Sequence, residues 1–149
     1  MKQTNKITSV TIGWREWLAL PTLGIDNIKV KVDTGARTSA IHADFIEPFD
    51  NNGELYVKFS LTNNIGGDKQ KMVCEAPVLD KRVITSSSGE KECRYVITTK
   101  IILGGITKDI ELTLTSRSTM KFKMLLGRTA LSKDFNVAPG KSYVMGRPD

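Results

Sequence analysis

Hydrophobic and polar positions alternate with a period of two along much of the chain, and helical spacing is nearly absent. Ile28, Val30 and Val32 alternate with Lys29 and Lys31, which predicts a strand with one buried face running into Asp33. Leu55, Val57, Phe59 and Leu61 alternate with Tyr56, Lys58, Ser60 and Thr62 and predict a second strand. The β-branched stretch from Tyr95 to Leu103, the Gly104-Gly105 turn signal and the alternation Ile110, Leu112, Leu114 predict a hairpin over residues 95–114. Loops are expected at Asp50–Gly53, Asn63–Asp68 and Ser86–Gly89, where turn-forming residues cluster. Only Thr129–Lys133, after Gly127-Arg128, has a helical pattern. Many short strands with one short C-terminal helix point to an all-β fold, a closed β structure. Without an internal repeat or a linker, residues 1–149 are read as a single domain.

Composition narrows the class. Hydrophobic residues make up 40% and charged residues 26%, a globular balance that argues against disorder. No apolar run approaches the roughly 18 to 20 residues that a membrane-spanning helix needs, so no membrane partner is expected. The first ten residues carry two lysines and no apolar stretch, unlike a secretory signal, and a cytoplasmic location is the expectation. Cys74 and Cys93 both fall in strand-like segments and are expected to be reduced. The net charge of +6 favours acidic partners. The basic residues are scattered, and only Trp14, Trp17, Tyr56, Tyr95 and Tyr143 join the phenylalanines as stacking platforms, so the case for nucleic acid is weak.

The inventory of reactive groups is short. With one histidine, His42, any site needing two imidazoles is excluded. A mixed zinc site from His42, Cys74, Cys93 and a carboxylate is conceivable, but the spacings match no zinc pattern, and no metal is expected. A serine or cysteine triad would need His42 as its base; the residue lies in the strand-like Ser39–Ala43 and is read as capping that strand. Gly66-Gly67 and Gly104-Gly105 lack the frame of a phosphate loop, so no nucleotide cofactor is expected.

One segment remains, Val30-Lys31-Val32-Asp33-Thr34-Gly35-Ala36. Its plainest reading is a turn that ends a strand, with Asp33 and Thr34 bonding to the backbone and Gly35 taking a positive φ. Its functional reading is a carboxylate on the floor of a cleft. Met124-Leu125-Leu126-Gly127-Arg128, about ninety residues downstream and followed by the helical stretch, shifts the balance towards function.

This pairing resembles the retroviral-type aspartic proteases. Together with Trp14-Arg15-Glu16-Trp17, Arg37-Thr38-Ser39-Ala40 and Cys74-Glu75-Ala76-Pro77, it resembles a bacterial retropepsin-like family often labelled "ATP-dependent zinc protease". Some of its members are associated with an ATP-grasp ligase that adds glutamates to a ribosomal protein tail. The resemblance covers roughly residues 8–146 and implies a retropepsin-like closed β-barrel. It also implies a catalytic turn of Asp33, Thr34 and Gly35, with Leu126, Gly127 and Arg128 threading beneath it. A flap hairpin is expected over Arg82–Tyr95, with its tip at Ser86-Ser87-Ser88-Gly89. Ala36, Arg37, Arg82, Ser88, Gly89 and Arg94 are the expected substrate contacts, and Lys31 and the arginines could read acidic side chains. Where retroviral enzymes carry an acidic partner for the arginine of Gly-Arg, this chain has Arg37. Arg128 is therefore expected to pair with Glu16 or Asp44.

Aspartic chemistry needs two carboxylates a few ångströms apart that share one proton. With a single Asp-Thr-Gly, the expectation is a homodimeric aspartic peptidase acting on peptide bonds, with glutamate-rich tails as candidate substrates. The alternative is a non-catalytic module of the same fold that holds an acidic tail or nucleic acid.

Overall fold

A computed structural model describes residues 9–65, 67–86, 88–116 and 121–148. Their strands are β1 (Val10–Leu20), β2 (Ile25–Val32), β3 (Ser39–His42), β4 (Ile46–Asn51), β5 (Glu54–Ile65), β6 (Asp68–Pro77), β7 (Asp80–Thr85), β8 (Lys91–Leu103), β9 (Ile106–Thr115), β10 (Met124–Leu126) and β11 (Phe135–Ser142). A 3-10 turn covers Pro21–Leu23, and helix α1 covers Arg128–Leu131. Among the described residues no helix is long and apolar enough to cross a membrane.

Eight strands form one sheet in the order β11-β1-β2-β10-β3-β9-β8-β7. A single further pairing, Ala19 of β1 with Ile102 of β8, bends that sheet back on itself. The result is a nearly closed ring, the barrel that the alternation implied. Strands β4, β5 and β6 form a separate three-stranded sheet that joins the same core. Ile28, Val30 and Val32 face inward from β2, and Val57, Phe59 and Leu61 do so from β5. Each burial removes apolar area from water at roughly 25 cal/mol per Å².

The predicted elements hold, with corrections at their ends. The hairpin over residues 95–114 is present, and β8 begins earlier, at Lys91. Leu55, read as an inward position, is exposed because β5 starts beyond the edge of the core. The expected loop over Asn63–Asp68 is mostly strand, since β5 and β6 stay paired as far as Ile65 and Asp68. Asn63 is buried there: its Oδ1 accepts from the Asp26 amide at 3.0 Å, and its Nδ2 donates to the Gly24 carbonyl at 3.3 Å. Tertiary partners thus override its turn preference. The helix begins one residue early, at Arg128, and ends at Leu131.

Glu16 ties the end of the chain to the barrel. It is fully buried, and its carboxylate accepts the amides of Gly13 at 2.7 Å, Val144 at 2.8 Å and Met145 at 3.1 Å. Gly13 allows this close approach, because a Cβ there would lie 2.2 Å from the Lys141 carbonyl oxygen. Removing the carboxylate would strand three donors, and a stranded buried donor costs about 1–3 kcal/mol. Glu16→Ala is therefore expected to lower the unfolding free energy by about 3 kcal/mol in urea titrations. A change below about 1 kcal/mol would show that water replaces the carboxylate at no cost.

Candidate functional site

Strand β2 delivers Asp33 to the mouth of the barrel, where the chain turns sharply before β3. The Gly35 amide donates to Asp33 Oδ1 at 3.1 Å, and the Ala36 amide donates to the Asp33 carbonyl at 3.1 Å. These bonds hold the carboxylate over its own turn, half-buried, while Thr34 and Gly35 are exposed at the apex. Gly35 does not take the positive φ expected of it, and a Cβ there would instead lie 3.3 Å from Asp33 Oδ1.

The downstream segment passes directly beneath. Strand β10 inserts between β2 and β3, parallel to the first and antiparallel to the second. The Leu126 carbonyl accepts the Asp33 amide at 2.9 Å, and the amides of Arg128 and Thr129 donate to the carbonyls of Ala36 and Arg37. Ser39 Oγ accepts the Gly127 amide at 2.9 Å. Gly127 is so close to the turn that an added Cβ would meet Thr38 C at 2.7 Å, and both Ala36 O and Arg37 C at 3.0 Å.

Arg128 corrects an expectation. Its Nη1 donates to the backbone carbonyls of Thr34 at 3.3 Å and Gly35 at 3.1 Å, and its partner is neither Glu16 nor Asp44. Glu16 is committed to the three amides described above. Asp44 accepts from His42 Nε2 at 3.1 Å and pairs with Lys71. The hydrogen bond from Lys71, followed by that from His42, lowers the Asp44 pKa.

The turn borders a cleft of about 1000 Å³. Across it stands the hairpin of β7 and β8, which the sequence nominated as a flap. The expected contacts Asp33, Gly35, Ala36, Arg37, Arg82, Ser88 and Arg94 all line this space. Thr34 and Gly89 do not; they sit beside lining residues at the turn apex and the hairpin tip. Leu126, Gly127 and Arg128 lie beneath the turn, while Ser87 falls outside the described residues. The sequence reading missed Thr38, Ala40, Thr113 and Leu125 on the walls. Strand pairing is what gathers them: Leu125 pairs with Ala40, and Ala40 with Thr113.

The two hairpin arginines are already engaged. Arg82 donates to Glu111 at 2.7 Å and to Asp80 at 2.9 Å, and these bonds, that to Glu111 foremost, hold its guanidinium charged well above its usual pKa. Arg94 is buried, bonding Glu92 at 2.9 Å and Thr113 Oγ1 at 3.4 Å. Both brace the base of the hairpin against β9. Arg37 is exposed at the rim and has no carboxylate partner among the described residues.

The groups weighed for metal binding serve other contacts. His42 is buried at the end of β3, and the Cys74 thiol donates to the Leu23 carbonyl at 3.5 Å, its pKa raised by burial. Cys74 and Cys93 are both free thiols. Among the described residues, no three of His, Cys, Asp and Glu form a group able to hold a metal ion.

Comparison with known proteins gives three results. A family described as RimB-like, "Retropepsin-like aspartic endopeptidase RimB", matches residues 11–148. Proteins named "Probable alpha-L-glutamate ligase" are similar over most of the chain. That of Shewanella pealeana is 49% identical over 135 residues, covering 91% of this chain and 30% of that protein. That of Desulfotalea psychrophila is 43% identical over 141 residues, covering 94% and 30%. The chain thus spans about 30% of the length of the curated relatives it matches. The crystal structure of a Legionella pneumophila protein of unknown function superposes with a TM-score of 0.71 at 24% identity, covering 93% of this chain and 99% of that one. This last likeness concerns the fold alone.

The contact beneath the turn generates a direct test. Gly127→Ala should destabilise the protein by about 2 kcal/mol or more, because the atoms its methyl group meets are backbone. Gly140→Ala, whose added Cβ meets nothing within 4 Å, should stay within about 0.5 kcal/mol. Equal denaturation midpoints for the two variants would show that the turn yields freely.

Proposed function

Because the chain belongs to the RimB-like family of retropepsin-like aspartic endopeptidases, we propose that it hydrolyses peptide bonds in glutamate-rich tails as a homodimer, with Asp33 of each copy activating the attacking water. One observation carries this reading. Asp33 is the only carboxylate among the described residues lining the cleft. A two-carboxylate mechanism then requires a second copy, related by a twofold axis that brings the exposed turn apices together. The exposure of Thr34 and Gly35 fits such an arrangement.

In the dimer the two carboxylates share one proton. The ionised one takes a proton from water as its oxygen bonds to the scissile carbonyl carbon, and the other donates its proton to the carbonyl oxygen. Collapse of the tetrahedral adduct breaks the C–N bond, and the leaving nitrogen takes up a proton. The Leu126 carbonyl that accepts the Asp33 amide, and the donations from Arg128 and Thr129 to the turn, support the role of β10 and α1 in holding Asp33 in position for this chemistry.

Two observations support an acidic substrate. Arg37 at the rim, without a carboxylate partner among the described residues, suits a carboxylate side chain. The curated relatives named as glutamate ligases contain a segment similar to this chain, so making and breaking bonds between glutamates would share one substrate. The fully paired Arg82 and the buried Arg94 serve as hairpin supports in this scheme.

Wild type is expected to cleave an oligo-glutamate peptide with or without a chelator, and Asp33→Asn to lose about a thousandfold or more in kcat/KM. Chelator-sensitive cleavage that persists in Asp33→Asn would overturn the aspartic mechanism. The dimer has its own test. Mixing wild type with a tenfold excess of Asp33→Asn under exchanging conditions should cut activity per wild-type subunit about tenfold, because mixed dimers lose one carboxylate. Undiminished activity, or full activity of a sedimenting monomer, would rule out the shared site.

A further inference from the structure

A second cavity, of about 320 Å³, opens beside β1 and β2 and is lined by Arg15, Trp17, Lys29, Tyr143, Arg147 and Pro148. Among the described residues, none of its three cations pairs with a carboxylate. The nearby rings already have cations against them. The Arg15 guanidinium lies 4.6 Å from the Trp14 centroid and 4.9 Å from that of Tyr143, Arg147 lies 4.3 Å from Tyr143, and the Lys29 ammonium lies 5.6 Å from Trp17. Rings engaged in this way orient positive charge and are less available to stack on a base.

The cavity is also built in advance. Arg15 Nε donates to Ser142 Oγ at 3.2 Å, and the Arg15 carbonyl accepts the Tyr143 amide at 3.0 Å. Buried Glu16 grips the amides of Val144 and Met145, between Tyr143 and Arg147. Cations positioned before binding lose little freedom when an anion arrives, which favours affinity.

Strand register connects this cavity to the cleft. Arg15 pairs with Lys31, Lys31 with Leu125, and Leu125 with Ala40. Directly paired residues present side chains on the same face, so one row runs from the cavity across exposed Lys31 to the Leu125 and Ala40 wall of the cleft. Two inter-strand steps of about 4.8 Å separate Arg15 from Leu125, roughly 10 Å. An extended peptide covers that span in about three residues.

We propose that the cavity of Arg15, Lys29 and Arg147 is a second anion subsite, which holds acidic side chains of the peptide about three residues beyond the part seated in the cleft. The inference rests on the peptidase reading above and adds a length requirement to it. Acidic peptides that reach past the cleft engage the subsite through Lys31, and shorter ones do not.

The test compares a short peptide, with glutamates only within two residues of the scissile bond, and a long one continuing for six. Wild type should prefer the long peptide, with the advantage expressed in KM and reduced by added salt. In K29A/R147A the long-over-short ratio of kcat/KM should fall about tenfold, as expected for losing two exposed charge contacts. An unchanged ratio would overturn the proposal. So would a shift in the dimer dissociation constant of K29A/R147A that accounts for the loss, since the cations would then serve assembly. Binding of the labelled long peptide to D33N and to D33N/K29A/R147A separates this proposal from the one it rests on. If wild type cleaves neither peptide but D33N binds the long one and the triple variant binds it about tenfold more weakly, the subsite stands and the peptidase reading falls. Equal binding by the two overturns the subsite, as does tighter binding of a single-stranded oligonucleotide that depends on the same residues.

Discussion

The Asp33 turn keeps its shape because Gly127 lies directly beneath it with no side chain. Backbone meets backbone there: the Leu126 carbonyl takes the Asp33 amide, and the amides of Arg128 and Thr129 reach the carbonyls of Ala36 and Arg37. A turn that presents a carboxylate to a cleft must leave some of its own carbonyls without local partners. Here the first residues of α1 satisfy them from below while β10 offers the acceptor for the Asp33 amide, and the Arg128 guanidinium donates to two more carbonyls at the apex. The inserted strand has three residues, yet it joins β2 to β3 and so closes the wall on which the turn rests.

Opposite that fixed floor the hairpin is braced at its base. Arg82 links β7 to Glu111 on β9, and buried Arg94 links β8 to Thr113, whose hydroxyl donates to the Ser39 carbonyl. Charge is spent inside the fold at these positions. It is left unpaired, among the described residues, at Arg37 and in the cavity beside β1. This division separates cations that tie the hairpin to β9 from cations that can meet something entering the cleft.

Much of this was legible in the sequence, because local rules and tertiary structure agree over β2, β5 and the β8–β9 hairpin. The alternation of Val30 and Val32 with Lys29 and Lys31 marks inner and outer faces directly. Asp33-Thr34-Gly35 and Leu126-Gly127-Arg128 could be coupled only through a family resemblance, since nothing local in a three-residue strand announces where it inserts. The Asn63–Asp68 stretch misled because Asn and Gly favour turns, whereas buried Asn63 answers to Asp26 and Gly24 across the core. The partner of Arg128 escaped charge-pairing logic for a related reason: an arginine can be satisfied by carbonyls, and a sequence does not display free carbonyls. The wall residues Thr113 and Leu125 were hidden likewise, in strand neighbours far apart along the chain.

The insertion of β10 also sets a schedule. Strands β2 and β3 precede β10 in the chain and lie close in sequence, but the gap between them is filled only by residues 124–126. During synthesis the Asp33 turn therefore exists as a loop without a floor until the late segment arrives, and long-range pairing of this kind forms slowly. A chain that stops short of residue 124 contains Asp33 but lacks the strand whose Leu126 carbonyl accepts its amide. The order in which the polypeptide is made thus delays the assembly of the site until most of the barrel is available to contain it.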